Sequence, residues 1–148
     1  MQERIILSIH LVAGITWIGS VFMGAFIDWP SAKESMPENK FPFQFIIGQG
    51  KRVFYSVYFA ITMLWGSGIA LFIVHPPHSK AQIIMVALKG VCLFLMTIFT
   101  LHGTFDTWPK LQLATNEEAF KHYRFYMLKA YGTFSFGIIG ALLTLWSF

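Results

Sequence analysis

The side chains in this sequence that could do chemistry are few and widely spaced. They are His10, His75, His78, His102 and His122, one cysteine, Cys92, and Lys89, which is set inside an apolar run. A neutral imidazole is a metal ligand as well as a general base. The Lys89 amine has two uses: neutral, it can ligate iron; charged, it can pair with a cofactor carboxylate. His75-Pro-Pro-His78 places two imidazoles in a proline turn, where they either capture a soft metal or simply face water. A single cysteine excludes an intramolecular disulfide and any CxxC metal site. The seven methionines form no MxxM run and read as packing residues. No Ser-His-Asp constellation, phosphate-binding glycine loop or basic-aromatic stripe for nucleic acid is present. What is left is ligation by isolated nitrogen donors.

Isolated donors need rigid elements to bring them together, and the composition says which kind. The 148 residues are 55% hydrophobic and 12% charged, with a mean hydropathy of +0.58. A soluble domain carries about 25% charged residues because its surface faces water. Crossing a bilayer core of about 30 Å takes roughly 20 apolar residues in helix. Four runs qualify, 5–27, 53–74, 83–105 and 125–148. Lys89 is the one formal charge in the first three, and Lys129 stands near the start of the fourth, where it is expected to snorkel to the interface. The first run is too long for a cleaved leader and lacks its small-residue cleavage pattern, so it is expected to stay as a helix. Pro30, Pro37 and Pro42, then Pro76-Pro77, then Pro109 are expected to break the chain between spans. Lys33, Lys40, Lys51, Arg52, Lys110, Lys121, Arg124 and Lys129 cluster about the first and third connections, against Arg4, Lys80 and Lys89 on the other side. The positive-inside bias then puts both termini outside, with Trp29 and Trp108 at the cytoplasmic interface and Trp146 at the outer one.

An internal repeat adds order to the four spans. Phe26-Ile27-Asp28-Trp29-Pro30 ends the first and Phe105-Asp106-Thr107-Trp108-Pro109 ends the third, at an offset of 79 residues. On that offset Gly24 falls on Gly103 and His10 on Lys89. The second members echo each other too: Arg52-Val-Phe-Tyr55 leads to Trp65-Gly66-Ser67-Gly68, and Arg124-Phe-Tyr126 leads to Phe136-Gly137 and Gly140. The pattern predicts two helical hairpins related by a pseudo-twofold axis along the membrane normal. His10, Gly14, Trp17 and Val21 form one stripe at helical spacing; Lys89, Cys92, Met96 and Gly103 form the other. A pair of nitrogen donors at matched depth could grip a flat cofactor, and Gly14 would let a macrocycle approach the backbone. His102 lies 13 residues past Lys89, about 20 Å along a helix and out of phase with it. It therefore suits a separate site, with His122 as a conceivable partner.

The run His10-Leu-Val-Ala-Gly-Ile-Thr-Trp17-Ile-Gly19 resembles the opening helix of two related groups of small membrane proteins, the HemJ-type protoporphyrinogen oxidases and the copper-resistance D (CopD) family. Gly50-Lys-Arg52-Val-Phe-Tyr55 and the helix after it are similar to their second span. Leu88-Lys89 and the aliphatic run to Leu101-His102-Gly103 are similar to their third. The resemblance covers most of the chain, and its distinctive elements are the His-x6-Trp and Lys…His-Gly patterns. It implies a four-helix membrane protein that, in the HemJ-type group, binds haem b and oxidises protoporphyrinogen, with His10 and Lys89 as haem-associated residues. HemJ-type proteins typically carry an Asn-Glu pair and then a proline entering the last helix. Here Arg124 is followed by Phe-Tyr-Met-Leu-Lys129, a departure that bears on the oxidase activity more than on the haem.

These readings converge on an all-α integral membrane four-helix bundle in the cell (inner) membrane. It is expected to bind haem b and to move electrons within or across the bilayer, exchanging them with a quinone or a partner redox subunit, alone or as a homo-oligomer. The candidate cofactor residues are His10, Lys89, His102, Trp17 and Gly14, with His10 and His102 as metal ligands. The alternatives are a protoporphyrinogen oxidase, a copper-handling protein using His10, His75, His78 and Cys92, and a cofactor-free subunit of a respiratory complex.

Overall fold

The structure, a computed structural model, describes residues 1–34 and 40–145. Four helices account for nearly all of them: α1 (Gln2–Glu34), α2 (Phe43–Val74), α3 (Lys80–Gln112) and α4 (Asn116–Leu145). Each is long and apolar enough to cross a membrane. The protein is an all-α membrane bundle. Pro37 and Trp146, which carried a chain break and an interfacial anchor in the sequence reading, lie outside the described residues.

Short connections and local caps set the helix ends. Ser79 closes the start of α3 with a capping box: its hydroxyl accepts from Gln82 N at 3.2 Å, and the Gln82 side chain accepts from Ser79 N at 3.2 Å. Glu118 does similar work before α4, accepting from Thr115 N at 3.0 Å. Asn116 also accepts from Phe41 N at 2.9 Å, which joins the first connection to the third. At the other end of the bundle Glu3 pairs with His75 at 2.9 Å.

α1 packs chiefly on α2 and α3 chiefly on α4, so the chain forms two hairpins, which meet most closely along α1 and α4. In a bilayer, lipid is as apolar as leucine, so helices associate through close packing instead of through escape from water. Gly137 illustrates this, since a Cβ there would come within 2.8 Å of Ile18 on α1 and 3.1 Å of Met96 on α3. Two cores result. Ala13, Trp17, Val57, Ala60, Ile61, Leu64 and Met96 fill the middle. Ala25, Phe41, Ile46, Trp108, Leu111, Ala119, Tyr123 and Met127 fill the end at which the Trp-Pro pairs lie. Beyond Ala13, Ser67, Cys92 and Gly137 toward the opposite end, no described residue is buried.

Pro30 and Pro109 do not break the chain, contrary to expectation; α1 and α3 run through them. Each proline follows a π-helical turn, Met23–Asp28 in α1 and Gly103–Thr107 in α3. There Trp29 N–H bonds to the Gly24 carbonyl and Trp108 N–H to the Gly103 carbonyl, five residues back. A proline lacks an N–H and crowds the carbonyl four residues before it. The widened turn holds that carbonyl, at Phe26 and Phe105 respectively, so the helix continues. The two turns coincide on the 79-residue offset, donor on donor and acceptor on acceptor. The repeat is thus present in backbone hydrogen bonding as well as in residue types.

The hairpins also exchange their tryptophans. Trp29 of the first packs on Tyr123 of the second, ring centroids 4.4 Å apart. Trp108 of the second packs on Phe54 of the first at 4.8 Å and over Gly50. Helix α1, at 33 residues, is about 50 Å long, well over a bilayer core, because the Trp-Pro segments extend the helices instead of ending them.

Candidate functional site

His10 is half-buried on the inward stripe of α1, at the outer limit of the packed core. Its Nδ1 lies 2.9 Å from Ser67 Oγ on α2. The Ser67 hydroxyl donates to the Met63 carbonyl at 2.5 Å. A hydroxyl has one proton, and with that proton given to Met63 it can only accept from the imidazole. This network assigns the proton to Nδ1 and the lone pair to Nε2, and the ring is also hydrogen-bonded to the Leu64 backbone. Gly68 lets the ring lie against α2, since a Cβ there would stand 3.5 Å from His10 Cε1. A ring nitrogen fixed by a hydrogen bond, with the other left as a donor to metal, is how ligating histidines are oriented.

Lys89, on α3 of the other hairpin, is half-buried and close enough for its charge to act on His10. Around them the inner stripes fall as expected. Trp17, Cys92, Met96 and Gly103 are buried, while Gly14 and Val21 are half-buried. Gly14 has open space where a Cβ would be. Trp17 is fully buried, and its indole Nε1 has no hydrogen-bond partner among the described residues. Such an orphaned donor is unusual in a packed interior.

His102 belongs to a different place. It is exposed at the π-helical turn of α3, with Nδ1 2.7 Å from Lys129 Nζ and 3.7 Å from Asp106. Lys129 was expected to snorkel along α4 to water. Half-buried at this end of the bundle, it also bridges to α3, donating to Thr107 and meeting the exposed His102. At the matching place in the first hairpin, Asp28 accepts from Gln49 of α2. Sequence reasoning missed both cross-links, and it missed Ser67. The signal available was polarity within a span, since Ser67 and Lys129 are costly in hydrocarbon unless partnered.

The copper set does not assemble. His75 is exposed and engaged with Glu3, Cys92 is buried, and His78 lies in the exposed outer turn. Among the described residues no three His, Cys, Asp or Glu side chains converge to hold a metal ion. His122 is half-buried near the start of α4.

Between the four helices, in the half that contains the Trp-Pro pairs, lies a cavity of about 80 Å³ bordered by Lys129, Tyr126, Thr100, Thr133, Ser20 and Gln49. It does not include His10 or Lys89. Comparison with protein-family models, with curated proteins and with solved structures found no match to this chain.

Proposed function

We propose that this chain is a haem b-binding redox protein of the cell membrane, with both termini outside, which moves electrons between a quinone or partner subunit and an acceptor. The observation that carries this reading is the His10–Ser67–Met63 relay, which leaves Nε2 of a half-buried imidazole as an unprotonated donor inside a membrane bundle. The donor set suits the group: an imidazole on one hairpin, an amine on the other, and glycine at position 14 with room beside it. A haem bound there would supply one-electron chemistry, with a potential set by its ligands and surroundings.

The protein's own residues would bind and orient. His10 would hold the group through its imidazole, and Ser67 would hold that ring and its tautomer. Lys89 would serve as second ligand or as partner to a propionate. Trp17, with its unpartnered N–H, and Gly14 would shape the inner wall, and the apolar helices would exclude water. The oxidase alternative loses weight because the polar element those enzymes carry into the last helix is replaced by Phe125, Tyr126, Met127 and Leu128. The copper alternative lacks converging donors.

Expression with haem in excess, followed by a reduced-minus-oxidised spectrum, tests the proposal. The purified protein should show the sharp bands of reduced haem b, and His10→Ala should lose them. A wild-type protein that stays colourless when haem is plentiful would sink the redox reading.

A further inference from the structure

Lys129 lies in the apolar stretch of α4, and its contacts face inward. Its Nζ meets His102 Nδ1 at 2.7 Å and donates to Thr107, both on α3. An ammonium has three N–H groups. These partners take two, and Lys129 also borders a cavity with Thr100, Tyr126, Thr133, Ser20 and Gln49. At about 80 Å³ the cavity has room for several waters, each needing about 10–15 Å³ on this measure. It is far below the roughly 300–1,000 Å³ of an organic ligand site. A void of that size persists dry when its walls are apolar and fills when polar groups can hold water. The walls here are mostly apolar, and the polar groups set among them are Lys129, Tyr126 and the hydroxyls of Thr100 and Thr133, enough to hold a few waters.

The same lysine connects the void to the outside. The His102 side chain is 54% exposed, 3.7 Å from Asp106, which in turn pairs with Lys110 at 2.6 Å. A line of polar side chains therefore runs from the surface beside the π-helical turn, through Asp106 and His102, to Lys129 at the cavity wall. We propose that the cavity is a water-filled inlet, entered past His102 at the Trp-Pro end of the bundle and kept wet by Lys129. It brings exchangeable protons within the span and is independent of any haem at His10.

Thiol chemistry in the full-length protein reads this directly, because the thiolate is the reactive form and needs water around it. Thr133→Cys in a Cys92→Ala background places a near-isosteric thiol on the cavity wall. Native Cys92, buried and away from the cavity, is the dry reference. With hydrogen peroxide as the probe, a molecule little larger than water that oxidises a thiolate to a sulfenic acid and is itself reduced to water, the Thr133→Cys thiol should react at least about tenfold faster than Cys92. Adding Lys129→Met should slow that reaction about tenfold, whereas Lys129→Gln, which keeps a polar group, should leave it within about threefold. Adding His102→Trp should slow it by closing the mouth. A Thr133→Cys thiol as unreactive as Cys92 overturns the inlet, and that comparison stands even if Lys129→Met fails to fold. A reaction untouched by Lys129→Met removes Lys129 as the water-holding group, and one untouched by His102→Trp removes the route past His102. None of these outcomes depends on haem, so they are separable from the spectral test.

Discussion

Gly50→Ala tests the reciprocal seating of the tryptophans, on which the hairpin pairing rests. A Cβ at Gly50 would stand 2.3 Å from both Cη2 and Cζ2 of Trp108. Carbon atoms are at their optimum at about 3.5–4.0 Å, so the ring would have to retreat by more than about 1 Å. It has little room to do so. Trp108 is 6% exposed, with Phe54 at 4.8 Å and Tyr126 at 5.5 Å between ring centroids. Overpacking of this kind costs about 1–3 kcal/mol. Replacing a helical glycine by alanine opposes it with about 0.5–1 kcal/mol of backbone entropy. Gly48→Ala separates the two effects, because Gly48 is two residues away on the same helix with nothing within 4 Å of a Cβ. Gly48→Ala should stabilise slightly, and the difference between the two variants isolates the steric cost. At about 2–4 °C per kcal/mol for a chain of this length, Gly50→Ala should melt roughly 3–10 °C below Gly48→Ala in the same detergent, followed by tryptophan fluorescence. If Gly50→Ala melts at or above Gly48→Ala, Trp108 is not seated between the hairpins as described.

Ser67→Ala should weaken haem affinity roughly 10–100-fold while leaving the fold intact, as removal of a hydrogen-bond partner to a ligating histidine does. His102→Ala should leave the reduced spectrum unchanged, because His102 sits at the π-helical turn with Lys129 and away from His10; loss of the same bands would show that the two imidazoles share one site. Ser79→Ala removes a capping box and should cost about 1 kcal/mol, visible as a lower melting temperature and as faster amide exchange in the first turn of α3. For orientation, cysteines at positions 2 and 116 can be labelled from intact cells. Reagent should reach Gln2→Cys and not Asn116→Cys, and the reverse pattern inverts the topology.

The four spans were legible because hydropathy and length are local properties. The hairpin repeat was legible because Trp-Pro and glycine recur at fixed spacing. The same offset aligns the two π-helical turns that precede Pro30 and Pro109, residue on residue at the tryptophan donors. What could not be read depended on partners remote in sequence. Ser67 lies 57 residues from His10, and nothing in Gly66-Ser67-Gly68 names its partner. The Lys129 contacts with Thr107 and His102 likewise join residues 22 and 27 apart, on a different helix. Pro30 and Pro109 carry the residue type of a helix breaker, and a shift to bonding five residues back leaves no mark on hydrophobic periodicity. The matched Gly24 and Gly103 were the available hint, since both turn out to accept the tryptophan N–H bonds.

The repeat conserves backbone geometry and varies chemistry, and that contrast locates function. Both π-helical turns end on a residue held from the neighbouring helix, but Asp28 accepts from an amide while Thr107 accepts from an ammonium. His10 and Lys89 occupy matched positions, yet one is an imidazole held by Ser67 and the other an amine. The first hairpin thus contributes the imidazole held by Ser67, and the second contributes the amines of Lys89 and Lys129. Two copies of either hairpin would build a similar bundle and would not reproduce this set. Polar groups inside a bilayer are costly, and here they have been placed unequally on a frame that did not require it. The proposed ligand site at His10 and Lys89 and the proposed water inlet at Lys129 therefore draw on different residues, since the cavity is bordered by neither His10 nor Lys89.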